Sequence, residues 1–143
     1  MLVRLLYASR AAVPPDAETL QGILRPSRLN NPAQGITGVL CVCSASGVYL
    51  QVLEGGRGAV NRLYQRIVTD RRHGDVELLS YEEIVERRFN GWAMGQVDMS
   101  RLNPALLLKY SEKPRLDPFA MPASASMALL LELMATASVV GSP

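Results

Sequence analysis

Three side chains that can both donate and accept hydrogen bonds, Tyr7, Asn31 and Gln51, lie where the sequence predicts ordered structure. Asn31 follows a predicted helix, and Gln51 lies inside an apolar run that reads as a strand. A carboxamide presents a donor and an acceptor on one planar head, which matches the edge of a heterocycle. The stretch 27–54 therefore predicts a frame for a flat ligand with a polar edge.

Tyr7 and Gln51 are expected to lie close together, on the first and third strands of a split sheet pattern. A buried tyrosine hydroxyl needs a hydrogen-bond partner, and a glutamine provides one. A hydrogen-bonded core pair without function is the alternative from these residues alone. Trp92 and Met94 beside the last predicted strand read as core packing, or as part of a redox site around an aromatic ligand.

Motifs of common catalytic and metal sites are not visible in the sequence. The single histidine, His73, is expected to cap the C-terminal end of a helix. Cys41 and Cys43 lie two apart on a predicted strand, where both point to the same face and form a poor disulfide. We therefore expect reduced cysteines, a cytoplasmic protein and no enzyme activity.

The composition favours a soluble domain with a substantial core. The chain has 143 residues, of which 48% are hydrophobic, and its net charge is +2 from 15 basic and 13 acidic residues. Such a balance argues against nucleic acid as a partner, because phosphate binding usually needs a concentrated basic surface. The apolar segment 127–140 contains Glu132 and is too short for a bilayer, so we also expect no membrane association.

Hydrophobic periodicity predicts the order strand, helix, strand, strand, helix, strand, strand. This order is typical of a ferredoxin-like βαββαββ fold of the α+β class, with two helices on one face of the sheet. The predicted elements are a strand over 2–8 that ends near Tyr7, a helix capped by Asp16, strands over 36–43 and 48–53, a helix over 59–70, and strands over 76–85 and 93–99.

The rest of the chain is expected to cover the other face of the sheet. It predicts a helix over 104–110, a turn over 113–122 and a strongly apolar helix over 124–139. The alternative is that this tail meets another subunit, because bare apolar surface of that extent is seldom left in water. The residues expected to cover the sheet are Leu106, Leu107, Leu130, Leu131 and Met134.

Five motifs in this order resemble the BLUF family of blue-light sensors that use FAD. The resemblance covers residues 1 to about 100, and the tail, with LKYS at 108–111, looks like that of short stand-alone cyanobacterial members. It implies a flavin-binding domain over 1–100 and a helical extension over 101–143. The motifs are LYAS at 6–9, NNPAQGITGVL at 30–40, LQVLEG at 50–55, YQRIVTDRRH at 64–73 and RFNGWAM at 88–94.

The resemblance implies that FAD binds noncovalently between the helix that ends near Ser27 and the helix that carries Arg66. FMN instead of FAD is left open. The implied contacts, besides Tyr7, Gln51 and Met94, are Ile23 and Ile67 on either side of the ring, Asn31 at the pteridine edge, and Arg66 and Asp70 at the ring edge or ribityl chain.

The resemblance also implies a light-driven switch. Blue light would drive an electron and a proton from Tyr7 to the flavin, and their return would leave Gln51 rearranged, by rotation or tautomerisation, with a red-shifted spectrum. Trp92 and Met94 would relay the change, and which of them faces inward in the dark is left open. Ala93 stands where many members carry serine, which removes a possible hydroxyl contact.

Signalling is expected to run through a separate output protein, because the segment after residue 100 is too short for a cyclase or phosphodiesterase. The apolar tail also predicts a homo-oligomer. One alternative is a nucleic-acid-binding ferredoxin-like module, for which Tyr49 and Tyr81 are the candidate stacking residues. A second alternative, a small acyl- or phosphate-hydrolase, would need a catalytic loop that the sequence does not present.

Overall fold

The computed structural model describes residues 1–12, 16–99 and 102–136. Its strands are β1 (Leu2–Ala11), β2 (Thr37–Cys43), β3 (Val48–Gly56), β4 (His73–Ile84) and β5 (Gly95–Asp98), and its helices are α1 (Ala17–Asn30), α2 (Arg57–Thr69), α3 (Pro104–Leu108) and α4 (Ala123–Ala135). The strands form one sheet in the order β4-β1-β3-β2-β5. The predicted fold class and order of elements are therefore confirmed.

β1 lies in the interior of the sheet and pairs antiparallel with β3 on one side and β4 on the other. The sequence predicted that it ends near Tyr7, but the strand continues to Ala11. The extension forms because Arg10 pairs with Val48 of β3 and with Gly74 of β4. β4 is also longer than predicted, because it pairs with the extended end of β1. It begins at His73 instead of Val76.

The predicted cap of α1 is present, since Asp16 accepts a hydrogen bond of 2.7 Å from the backbone N–H of Thr19. The helix passes through Pro26 and ends at Asn30, directly before Asn31 as the sequence pattern predicted and three residues beyond Ser27, near which the resemblance placed its end. The backbone N–H of Asn31 then donates to the carbonyl of Ser27 at 2.9 Å. A 3₁₀ turn, Pro32–Gln34, leads from there towards β2.

α1 and α2 cover one face of the sheet. Leu24 of α1 and Val60 of α2 are fully buried against it, and they form one cluster with side chains of the strands. The buried strand residues of this helix-side cluster are Val3, Leu5, Tyr7, Leu40, Val42, Tyr49 and Leu53.

α3 and α4 cover the opposite face, as predicted. Leu107 and Leu130 are buried there, and Leu106, Leu131 and Met134 pack partly buried beside them. We call this group the tail-side cluster, and its buried strand residues include Leu6, Val39, Cys41, Leu50 and Val97. Cys41 and Cys43 are both buried on this face as free thiols, and burial raises the pKa of Cys41. Residues 137–139 of the predicted last helix lie outside the described residues.

The segment between β4 and β5 is held in place by nonlocal hydrogen bonds. Glu54 is fully buried and accepts from the Arg4 guanidinium at 2.8 Å and from the backbone N–H of Phe89 at 2.6 Å. Gly38 donates to the carbonyl of Trp92 at 2.9 Å. The last strand was predicted from residue 93, but it begins at Gly95, so Trp92 precedes it in a bent segment.

Within the part of the chain that the structure describes, no helix is both long and apolar enough to span a membrane.

Candidate functional site

A cavity of about 320 Å³ opens between α1 and α2, with the sheet as its floor. This volume is at the lower end of the range that binds small organic ligands, about 300–1,000 Å³. The cavity is lined by Tyr7, Ile23, Pro26, Ser27, Asn30, Asn31, Gln34, Leu40, Tyr49, Gln51, Leu63, Arg66, Ile67, Asp70, Arg72 and His73.

Tyr7 and Gln51 face each other across the β1–β3 pair on the cavity floor. They are 4% and 5% exposed, and the Tyr7 hydroxyl donates a hydrogen bond to Oε1 of Gln51. Burial, followed by the neighbouring Tyr64 and Asp70, raises the pKa of Tyr7, so the phenol remains a protonated donor. The expected proximity of the two side chains is present in the structure.

Met94 contacts the same glutamine from the other side. Nε2 of Gln51 donates to Sδ of Met94 at 3.2 Å, and Met94 is fully buried in the helix-side cluster. Trp92 is partly buried and packs against the tail-side cluster on the opposite face of the sheet. Of the two residues between which the sequence could not choose, Met94 is the one that faces inward here.

Asn31 supplies an unsatisfied donor to the cavity. It is 4% exposed, and its Nδ2 has no hydrogen-bond partner among the residues that the structure describes. Its backbone carbonyl already accepts a hydrogen bond of 2.8 Å from the N–H of Ile36. Since buried polar atoms are rarely left unpaired, this amide marks a place for an acceptor of a ligand.

The cavity walls are apolar and its rim is charged. Ile23 of α1 and Ile67 of α2 are partly buried residues of these walls, as is Leu63, and Arg66 is exposed at the rim. Asp70 and Arg72 form an ion pair with a 3.0 Å contact between Oδ1 and Nε. Hydrogen bonding to this guanidinium lowers the pKa of Asp70, and the carboxylate in turn raises the pKa of Arg72.

The structure brings together every sequence-predicted contact residue: all line the cavity except Met94, which reaches it through Gln51. It adds Tyr49 and His73, among others, which sequence reasoning did not assign to the site. Tyr49 could have been found from strand alternation, because residues two apart share a face with Gln51. Leu40, Leu63 and Arg72 also line the cavity without having been predicted.

His73 was expected to cap a helix from within its last turn. The capping contact is present, because one ring nitrogen contacts the carbonyl of Ile67 in the last turn of α2, but His73 lies outside the helix as the first residue of β4. Its other ring nitrogen, Nδ1, contacts the hydroxyl of Ser9 at 2.8 Å. The ring therefore ties the end of α2 to β1 beside the cavity.

These residues fit a flat heterocycle with polar edges. Gln51 on the floor and the unpartnered amide of Asn31 can serve ring-edge donors and acceptors, while Ile23 and Ile67 can pack on ring faces. A ring that carries a polar chain could extend to the charged rim, where arginine recognises anionic groups.

Comparison with known proteins is consistent with this chemistry. A family model described as "Sensors of blue-light using FAD" matches residues 2–95, which include every residue that lines the cavity. Photoactivated adenylate cyclase subunit alpha of Euglena gracilis is 41% identical over 86 residues, and subunit beta is 38% identical. The match covers 60% of this chain but only 8% and 10% of the lengths of those relatives.

Solved structures share the fold over nearly the whole chain. The photo-activated state of BlsA has a TM-score of 0.85 at 28% identity and covers 100% of this chain and 99% of its own. The dark state of BlrB, a BLUF protein, has a TM-score of 0.78 at 30% identity, with 95% and 96% covered. A bacterial light-regulated adenylyl cyclase has a TM-score of 0.70 at 27% identity, with 96% and 35% covered.

Proposed function

The chain belongs to the BLUF family, the sensors of blue light using FAD. We propose that it is a photoreceptor that binds FAD noncovalently between α1 and α2. BLUF domains are sensors and not enzymes. The observation that carries the proposal is the hydrogen-bond chain from Tyr7 through Gln51 to Met94 on the cavity floor.

The binding roles follow the positions of the lining residues. Nδ2 of Asn31 would donate to the ring edge, which gives this buried amide the partner it lacks. Ile23 and Ile67 would pack on either side of the ring, with Ser27 beside them. At the rim, Arg66 and Asp70 would contact the ring edge or the ribityl chain.

FAD, when bound, supplies absorption of blue light and an acceptor for one electron and one proton. The donor in this chain would be Tyr7, whose hydroxyl proton would leave its hydrogen bond to Gln51 as an electron leaves the phenol ring. With that bond broken, the Gln51 carboxamide could rotate or tautomerise. Return of the electron and proton would restore Tyr7 but leave Gln51 rearranged and able to donate a hydrogen bond to the flavin edge, which would shift the absorption to the red.

The arrangement described above, with Oε1 of Gln51 towards Tyr7 and Nε2 towards Met94, is the resting one in this proposal. A rotation that exchanges the two ends would take the donor away from Met94 and loosen the bent segment before β5. Such a local change can shift the balance between two packing arrangements of a neighbouring element. Trp92 lies in the same segment and packs against the cluster beneath α3 and α4, so the tail would receive the change.

We further propose that residues 1–100 form the flavin-binding domain and residues 101–143 a helical extension that passes the change to a separate output protein, within a homo-oligomer. The extension supports this division, because α3 and α4 follow the family-matched region and pack on the sheet face opposite the cavity. The relay does not need a hydroxyl at position 93, where this chain has Ala93.

The nucleic-acid-binding alternative finds no support in the placement of its candidate residues. It required stacking aromatics on an open sheet face, but Tyr49 is buried on the helix-covered face and α3 and α4 cover the other. Tyr81 of β4 is 39% exposed and has no aromatic partner in the part of the chain that is described.

The test is to purify the protein, add FAD or FMN to flavin-free samples, and record absorption before and after blue light. We expect a yellow protein that retains FAD and shows a red shift that reverses in the dark. Chromatography of the flavin released by denaturation distinguishes FAD from FMN. A colourless protein that takes up neither flavin would refute the proposal.

A further inference from the structure

Tyr49 presents a hydroxyl to the cavity that no residue of the described chain satisfies. The residue is 3% exposed, it lines the cavity, and its Oη has no hydrogen-bond partner within residues 1–12, 16–99 and 102–136. Burial is the main reason why the pKa of Tyr49 is raised above its usual value, so the hydroxyl is protonated and able to donate.

Unpartnered buried polar atoms are concentrated at this cavity. The described residues contain three such side-chain atoms, on Asn31, Tyr49 and Ser126. The first two line the cavity, whereas Ser126 lies in α4 and does not. Because folded proteins pair nearly all buried polar groups, two unpartnered atoms in the lining of one cavity indicate partners supplied by a ligand.

Tyr49 also has a defined position relative to the proposed switch. It pairs with Ser9 across β1 and β3, two residues along from the pair of Tyr7 and Gln51. Residues two apart on a strand share a face and are separated by about 7 Å. The rings of Tyr49 and His73 meet edge to face at 6.5 Å between centroids, which restrains the phenol on the cavity floor.

We infer that the Tyr49 hydroxyl donates a hydrogen bond to a polar atom on the ring system of the bound flavin, as a binding contact additional to Asn31 and Gln51. The inference rests on the proposed function. The ring system is the part that fits, because Tyr49 lies on the buried floor beside Gln51, whereas the exposed rim is left for the chain and its phosphates.

Tyr49→Phe removes only the hydroxyl, and titration of flavin-free protein by quenching of flavin fluorescence measures the effect. We expect affinity to fall about three- to tenfold, the value of one hydrogen bond. The loss should be equal for lumiflavin, riboflavin and FAD, since all three carry the same ring. The melting temperature of the flavin-free variant should be unchanged or higher, because the deleted group has no partner in the described part of the protein.

Ser126→Ala is the matched control, since it also deletes an unpartnered buried hydroxyl but away from the cavity. It should leave all three affinities unchanged. Equal affinities of Tyr49→Phe and wild type would overturn the inference, and so would a loss confined to riboflavin and FAD, which would assign the contact to the ribityl chain. In either case a wild type that binds FAD and photocycles keeps the proposed function intact.

Discussion

The side-chain nitrogen of Gln51 donates to the sulfur of Met94 across 3.2 Å, and this contact joins the cavity floor to the segment that leads into β5. The other end of the same carboxamide accepts from Tyr7. One side chain therefore links the proposed electron donor to the segment that carries Trp92. A change in the orientation of this carboxamide alters both contacts together.

Met94→Leu keeps an apolar side chain of similar volume and removes the sulfur acceptor. The resting arrangement of Gln51 then loses one hydrogen bond, so return to it should slow by about two- to tenfold while flavin is still bound. The rate is read from the decay of the red-shifted absorption in the dark. The control is Met99→Leu. Met99 is a buried methionine of the tail-side cluster, and this variant should recover at the wild-type rate.

Replacement of Glu54 should be strongly destabilising. Its fully buried carboxylate pairs with Arg4 and accepts from the backbone N–H of Phe89, so Glu54→Ala leaves a buried guanidinium without its principal partner. We expect a loss of about 3–5 kcal/mol in the free energy of unfolding, measured with urea. Glu82→Ala removes a second, 56% exposed partner of the same arginine and should cost no more than about 1 kcal/mol.

Shortening a buried side chain of α4 tests whether this helix completes the core of its own chain. Leu130 of α4 is 1% exposed against the tail-side cluster, so Leu130→Ala should lower the free energy of unfolding by about 2–5 kcal/mol. Leu108, at the end of α3, is 52% exposed, and Leu108→Ala should change it by less than about 0.5 kcal/mol. Equal effects of the two changes would contradict the packing of α4 on the sheet.

The ion pair of Asp70 and Arg72 predicts a dependence of stability on pH. The lowered pKa of Asp70 means that its contribution is present above the unfolded value near 3.8 and is lost as pH falls through the folded value. The urea midpoint of Asp70→Asn should therefore fall less steeply than that of wild type below pH 4. Asp75→Asn, at an exposed carboxylate 3.8 Å from Arg10, is the control for the removal of one negative charge.

The sequence was sufficient for features that depend on local pattern. Alternation placed Tyr7 and Gln51 on inward-facing strand positions, and the antiparallel adjacency of β1 and β3 then set them opposite each other. Asp16 was recognisable as a cap because it precedes the first apolar positions of α1. The apolar spacing of α3 and α4 similarly predicted that they pack on the sheet.

Features that depend on distant contacts could not be predicted in this way. His73 enters the cavity wall because β4 pairs with β1 as far as Ala11, through register shifts that no local pattern announces. Met94 faces Gln51 because Glu54 and Gly38 hold the bent segment before β5, and these partners are more than 30 residues away along the chain.

The central claim is that Tyr7 and Gln51 together convert light into a change of hydrogen bonding, and the light-minus-dark absorption spectrum of flavin-loaded Tyr7→Phe and Gln51→Ala tests it most directly. Tyr64→Phe, whose ring lies 5.6 Å from that of Tyr7, is the control. We expect both variants to bind flavin and lose the red shift, while the control keeps it. A normal reversible red shift in either variant would contradict the account.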